Sequence, residues 1–471
     1  MNTTAKKKNK ILSFISSLHT KRTMDMTTGS IFRLIIAFAA PLLVGNLFQQ
    51  LYNTVDSYVV GNYVSNEAFA AVGNTGPIIN TLIGFFSGLA TGAGVIISQY
   101  FGAKDEHNVR RAVHTTITMT FLLSVLFTAI GVLMVPGMLG LMKTPADVFP
   151  EAKTYLTIYF AGISGLMIYN VGAGILRAVG DSQRPFYFLV ITALLNAGLD
   201  LLFVLAFGMG VEGVAIATII SQFVSAILVV ITLICSKECF KLRVRDLGIT
   251  PHIIAKIIKV GFPAALQMAI TSFSNVFIQS YINHFGTNFM SGYTAYAKID
   301  QFLLLPMQSV ALASTTFVGQ NLGARNGARA KRGANVALLI SVSITVSLMI
   351  PVLIFAPHLV AFFNNESAEV IKYGAELLRL ISPFYVLCCI NQIYAGALRG
   401  AGKASVPMII MIGCFVFFRQ GYLALVSHLT DSYHLVALGY PAGWLMCSII
   451  IFIYYRLSGW ENKVLVKRGD N

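Results

Sequence analysis

Gly174-Ile-Leu-Arg177-Ala-Val-Gly180, with Pro185 five residues on, returns later in the chain as Gly396-Ala-Leu-Arg399-Gly-Ala-Gly402 with Pro407. The matched positions lie 222 residues apart (399 − 177, 407 − 185). Pro41 and Pro263 keep the same interval, and Gln99-x-x-Gly102-Ala103-Lys104 answers Gln320-x-x-Gly323-Ala324-Arg325 at 221. Four motifs at essentially one interval mark an internal duplication, in which each copy takes nearly half the chain.

The residues between these motifs are apolar. The chain has 471 residues, 56% hydrophobic and only 11% charged, against roughly 25% charged in soluble domains. So much apolar surface cannot be hidden inside a water-soluble ball, and the bilayer is the natural solvent. A spanning helix needs about 20 apolar residues. Twelve stretches qualify, near 31–60, 68–101, 112–136, 154–176, 186–207, 212–235, 253–284, 289–320, 333–356, 369–398, 404–428 and 433–456. Several are long enough to imply tilt or bending. With six spans per copy the repeats are parallel, related by an axis along the membrane normal. The expected fold is therefore all-α and integral to the membrane, with twelve transmembrane helices in two six-helix repeats. The expected organisation is a basic cytoplasmic tail (1–28), an N-terminal lobe (29–236), a cytoplasmic linker (237–252), a C-terminal lobe (253–457) and a second tail (458–471).

The net charge of +15 comes from 34 basic and 19 acidic residues. Nucleic acid is set aside as a partner because the bases sit in short gaps between apolar stretches. One alternating set of gaps is rich in them: Lys104, Arg110 and Arg111; Arg177 and Arg184; Lys237, Lys241, Arg243 and Arg245; Arg325, Arg329, Lys331 and Arg332; Arg399 and Lys403. The other set is nearly bare apart from Lys143 and Lys153. The positive-inside rule places both termini in the cytoplasm, in agreement with the even span count. The start of the chain, basic at Lys6, Lys7, Lys8 and Lys10, lacks the long apolar region and cleavage site of a signal peptide. The six cysteines show no zinc-ligand spacing and read as free thiols. There is no phosphate-binding Gly-x-x-x-x-Gly-Lys-Ser/Thr loop, so ATP is not expected as fuel. No nucleophile–base arrangement points to an enzyme, and no cofactor is expected beyond a coupling ion. Two lobes around a central cleft suit alternating access, whereas a channel more often assembles from symmetric subunits.

Intramembrane charges are costly and are functional candidates by default. Asp200 falls in the middle of a span with Asn196 four residues earlier, which puts both on one helix face. The competing reading is an Asn–Asp pair that only ties helices together. Lys298, Asp300, Glu376, Arg379 and Arg419 form a second set of charges. Asp300 could meet a cationic substrate, or these groups could pair and lock their lobe. Gln49, Tyr52, Asn53, Tyr169, Met268 and Met307 are candidates for the cleft wall, where aromatic rings and thioethers accept lipophilic cations. Ordinary packing is the competing reading for each.

Ala40-Pro41 followed by Asn46-Leu-Phe-Gln-Gln-Leu-Tyr-Asn-Thr-Val-Asp56-Ser-Tyr-Val-Val-Gly61, the stretch Phe317-Val-Gly-Gln320-Asn-Leu-Gly323-Ala324 and both Leu-Arg-x-x-Gly motifs resemble the multidrug and toxic compound extrusion (MATE) transporters. The resemblance spans Thr27 to Leu457. It implies a monomeric antiporter of the bacterial inner membrane that exports lipophilic, mostly cationic drugs in exchange for H⁺ or Na⁺. It also implies an essential acid at Asp56, fifteen residues after the helix-bending Pro41. In a subset of the family, matching Asp, Asn, Asp and Thr form a cation site in the first lobe; here they are Asp56, Asn196, Asp200 and Thr218. Two carboxylates in a dry pocket repel, so the pair takes up a proton, or its oxygens replace the water shell of Na⁺. Other members carry a glutamate on the seventh helix. Here that stretch, Pro263-Ala-Ala-Leu-Gln267-Met-Ala-Ile-Thr271, has no acid, which shifts the weight to the first lobe. A flippase for lipid-linked precursors and a membrane channel or sensor are the alternatives.

Overall fold

The computed structural model describes residues 23–142, 144–363 and 367–466; the side chains at 53, 55–58, 62, 66, 69, 74, 273, 275–277, 279, 280 and 283 lie outside the described set. The first copy contains α1 (Ile31–Tyr63), α2 (Asn66–Gly102), α3 (Glu106–Leu141), α4 (Phe149–Ala161), α5 (Ile163–Ala178), α6 (Gln183–Leu201) and α7 (Val211–Cys235). A π-helical segment, Leu202–Ala206, extends α6. The second copy contains α8 (Pro251–Asn283), α9 (Thr287–Gly323), α10 (Gly327–Phe363), α11 (Ala368–Ile381), α12 (Tyr385–Gly400), α13 (Ser405–Ile412), α14 (Arg419–Leu429), α15 (Tyr433–Ala437) and α16 (Gly439–Leu457). Here too a π segment, Gly413–Phe418, lies within the fifth span and joins α13 to α14. The described helices give twelve apolar spans when α4 and α5, bent by 49° at Gly162, count as one. The expected fold class holds.

Burial sorts the spans. In the apolar windows of α9 and α2, 72% and 56% of residues are buried, against 22% and 17% in α3 and α10. The middle of the molecule is therefore built on α2 and α9, while α3 and α10 lie at the lipid boundary. Small residues permit the central approach. A Cβ on Gly88 or Gly92 of α2 would sit 2.3 Å from the backbone of Ala265 or Gly261 on α8. The contact of α1 with α9 joins an apolar cluster, including Phe38 and Phe317, to two polar pairs. Asn46 Nδ2 donates to Ser309 Oγ (3.3 Å), and Gln50 Nε2 donates to Gln301 Oε1 (2.8 Å).

The duplicated motifs close one end of this bundle. Lys104 and Arg325, with φ of 56° and 58°, turn the chain sharply after α2 and α9. Asp105 and Asn326 then cap α3 and α10, accepting from the amides of Asn108 (3.1 Å) and Arg329 (3.0 Å). At the same end α2 and α9 cross between the lobes. Gln99 Nε2 donates to Gly400 O (2.9 Å) and Gln320 Nε2 donates to Ala178 O (3.0 Å). Each glutamine also holds a terminal segment through its Oε1, which accepts from Leu465 N (3.2 Å) at Gln99 and from Met26 N (2.9 Å) at Gln320. Gly180 and Gly402 have φ of +88° and +78°, and a side chain there would also strike Met24 and Leu465. Both terminal segments thus lie against the same crossing, in the same pseudo-symmetric way.

Two expected results follow for these segments. Arg329 Nη2 donates to the carbonyls of Thr28 and Gly29, both at 2.9 Å. Charge-assisted bonds of this kind contribute about 2 kcal/mol. Arg329→Ala should therefore speed hydrogen exchange of the Met26 amide by roughly thirty-fold, without a matching change in α9. At the other terminus, Glu461 Oε1 meets Lys331 Nζ at 2.5 Å. Burial alone would raise the Glu461 pKa, but the hydrogen bond and charge of Lys331 hold the carboxyl below its ordinary value. A depressed carboxyl pKa stabilises above the unfolded value, and that stabilisation is lost as pH falls through the folded one. Trp460, fully buried beside it, reports the release. In a Trp444→Phe background its emission should shift to the red below about pH 4, and Glu461→Gln should show the shifted spectrum already at neutral pH.

Candidate functional site

Between the lobes lies a cavity of about 590 Å³, within the range of small-molecule sites. Pro41, Gln49 and Tyr52 of α1, Tyr169 of α5 and Met268 of α8 all line it. So do Asn196 of α6 and Thr218 of α7. Of these, Gln49, Tyr52, Tyr169 and Met268 are the residues expected at the cleft wall; Pro41 was expected as a helix bend, and Asn196 and Thr218 as ligands of a coupling ion.

In the first lobe, Asn196 and Asp200 are fully buried on α6, one turn apart. Neither Nδ2 nor Oδ1 of Asn196 has a hydrogen-bond partner among the described residues. Leaving such an amide unsatisfied costs about 1–3 kcal/mol per group, so the position suits an ion, a water or a polar ligand. Asp200 directly precedes the end of α6, where the ladder widens and Phe207 N bonds back five residues to Leu202 O (3.2 Å). Such π segments often occur at functional positions. Facing this pair, Thr218, Ser221, Gln222 and Ser225 recur at helical spacing on α7 and all border the cavity. Thr218 Oγ1 lies 3.4 Å from Tyr52 Oη. Asp56 and Asn53 belong to α1, but their side chains lie outside the described residues. Three and four residues past Asp56, Val59 and Val60 pack in one apolar cluster with Val204 of the π segment and Val211 and Val214 of α7. The backbone of α1 at Asp56 therefore runs beside the Asn196–Asp200 helix.

The second lobe differs from expectation. Met307 does not line the cavity; it is fully buried in the core of its own lobe. Its neighbours Gln308 and Ser309 do line the cavity, because each step along a helix turns a side chain by about 100°. Asp300 is also absent from the described cavity wall. Its Oδ1 accepts from the hydroxyls of Tyr385 and Tyr296, the latter at 3.4 Å. Lys298 and Arg379 are exposed and Glu376 and Asp300 half-buried, so of the expected set of buried charges only Arg419 is fully buried. Arg419 donates to Ser274 Oγ (2.9 Å) and stacks 5.3 Å from the ring of Tyr440. The fifth span thus carries an acid beside its π segment in the first lobe and a base beside it in the second.

Two cavity residues were read in the sequence only as repeat and orientation markers. Arg177 and Arg399, in the last turns of α5 and α12, both line the cavity. The described wall has no other formal charge. Their signal was the duplication itself, which supplies one arginine from each lobe at equivalent positions.

Comparison with known proteins agrees with this architecture. The MatE family model matches residues 41–202 and 263–419, so the two matches begin at the paired prolines. YpnP of Bacillus subtilis, a probable multidrug resistance protein, is 30% identical over 446 residues, covering 93% of this chain and 97% of that protein. YoeA of the same organism, also a probable multidrug resistance protein, is 29% identical over 455 residues, covering 94% and 97%. The solved outward-facing conformation of a multidrug resistance MATE family transporter of the MOP superfamily superposes with a TM-score of 0.86 at 25% identity, covering 93% of this chain and 98% of that one.

Proposed function

The chain belongs to the MatE family of multidrug efflux transporters, multi-pass membrane proteins that are not enzymes, and from that premise we propose that it is a cation-coupled antiporter exporting small amphipathic molecules by alternating access. The observation that carries the coupling is the buried Asn196–Asp200 pair, of which Asn196 lines the cavity together with Thr218 while Asp200 lies one turn behind it. A carboxylate held from water takes up a proton or Na⁺ far more readily than one in solvent. The amide of Asn196 and the hydroxyl of Thr218 supply neutral oxygens for the ion, and Asp56 is the second acid of the site. Loading neutralises the charge and lets α1 close on α6. Pro41 supports this movement, because a proline inside a helix removes one backbone hydrogen bond. The cavity then changes shape and its contents leave on the side away from the termini.

The base-rich gaps and both terminal segments share one end of the bundle, and we place that end in the cytoplasm of a bacterial cell. Both lobes that line the cavity belong to one chain, which supports a working monomer. One charge moving through 100 mV supplies about 2.3 kcal/mol, enough for roughly a fifty-fold concentration ratio. The test uses the purified chain in proteoliposomes under a pH gradient, a Na⁺ gradient or neither, with two xanthene dyes of opposite charge, rhodamine 6G and fluorescein. At least one dye should accumulate under one ion gradient and leak back when an ionophore collapses it. Identical distribution of both dyes with and without either gradient would remove the antiport reading.

A further inference from the structure

We infer that Arg177 and Arg399 form an anion-recognition site at the base of the cavity, so that the exported molecules carry a carboxylate, sulfonate or phosphate in place of the positive charge expected from the sequence. The inference rests on the reading that this cavity is the transport path. Both arginines lie on its wall, one from each lobe, at the interval of the internal repeat. Arg399 is only 6% exposed. Neighbouring bases are committed elsewhere: Arg184 pairs with Asp181 at 3.0 Å, Lys331 with Glu461, and Arg329 holds the N-terminal segment. The side chains of Arg177 and Arg399 make no hydrogen bond or ion pair with any described residue, and the described cavity wall contains no carboxylate.

Leaving a charge in this setting without a partner is costly. The carbonyl ends of α5 and α12 offset part of that cost, since cations are favoured at helix C-termini. They do not use the guanidinium donors, whose planar forks match the paired oxygens of carboxylate and phosphate. The aromatic residues Tyr169, Phe186 and Phe415 and the neutral amides Gln267 and Gln392 line the same cavity. The site thus fits an aromatic or amphipathic body with an acidic head.

The placement also connects binding to the gate. The residues that follow the two arginines, Ala178 and Gly400, supply the carbonyls that receive the crossing bonds from Gln320 and Gln99. An anion held by the arginines therefore lies directly against the hydrogen bonds that shut the terminal end. The energetics agree in sign. Export of an anion from a negative interior is assisted by the membrane potential, and an entering cation adds to the same charge movement.

The test is equilibrium binding, without any gradient, of fluorescein and rhodamine 6G to the full chain in phosphatidylcholine nanodiscs, read by fluorescence anisotropy. Wild type should bind fluorescein at least about tenfold more tightly than rhodamine 6G, and salt should weaken only the former. Arg177→Gln/Arg399→Gln should lose that preference. Arg177→Lys/Arg399→Lys, which keeps the charge and loses the fork, should fall between and serves if the Gln variant does not fold. Displacement of fluorescein by phosphatidylglycerol in wild type alone would assign the anion to a lipid headgroup and still support the site. Tighter binding of rhodamine 6G by wild type, or unchanged fluorescein affinity in a folded Gln variant, would overturn the inference. Binding of fluorescein without gradient-driven uptake of either dye would remove the antiporter and leave the anion site. Driven uptake of rhodamine 6G without fluorescein binding would do the reverse.

Discussion

Asp200→Asn should reduce gradient-driven dye accumulation in proteoliposomes to that of protein-free vesicles, while dye binding measured without a gradient stays within about threefold of wild type. The substitution keeps the shape of the side chain and removes only its charge and its proton site. Asp200 is fully buried in the first lobe, where an ionised carboxylate costs far more than a neutral amide. The variant should therefore fold, with a melting temperature equal to or above that of wild type. It can no longer bind an ion in one half of the cycle and release it in the other, so binding and coupling separate. Asp56→Asn should give the same phenotype. Thr218→Val, which removes one neutral ligand and the contact of Thr218 with Tyr52 at 3.4 Å, should slow driven transport by only severalfold, since neutral contacts contribute about 1 kcal/mol. Accumulation by Asp200→Asn at the wild-type rate would place the coupling elsewhere.

Gly102→Ala combined with Gly323→Ala should prevent closure of the terminal end and abolish transport. A Cβ at either position would lie 1.9 Å from a backbone carbonyl of the other lobe, Gln320 O for Gly102 and Gln99 O for Gly323. Ordinary contact begins near 3.4 Å, and the obstructing atoms are backbone, so no side-chain rotation relieves the clash. The lobes must separate, and the bonds of Gln99 and Gln320 across the crossing are lost with them. Spin labels on His107 and Ala328, both exposed at the starts of α3 and α10, report the separation by dipolar spectroscopy. Cys235 and Cys239, which are not buried, are first replaced by serine. The double variant should show a longer, broader distance distribution. Gly137→Ala, whose new Cβ meets nothing within 4 Å, is the control and should transport normally. A wild-type distance distribution in the double variant would mean that the crossing is not needed for closure.

Much of this was legible in the linear chain. Spans are read from apolar length alone, and the duplication at 222 residues required six spans per copy. The pairing of Asn196 with Asp200 followed from helical spacing, which is a local property. Other features depended on tertiary structure. Met307 and Gln308 are adjacent in sequence, yet one fills the lobe core and the other faces the cavity. Asp300 turned to two tyrosines, and the two repeat-marking arginines turned to the cavity. The physical reason is that lipid and neighbouring helices are equally apolar. Hydropathy therefore identifies what crosses the membrane but leaves the rotation of each helix open. That rotation is chosen by close packing of small residues, such as Gly92 against Gly261, and by polar groups that must find partners away from water.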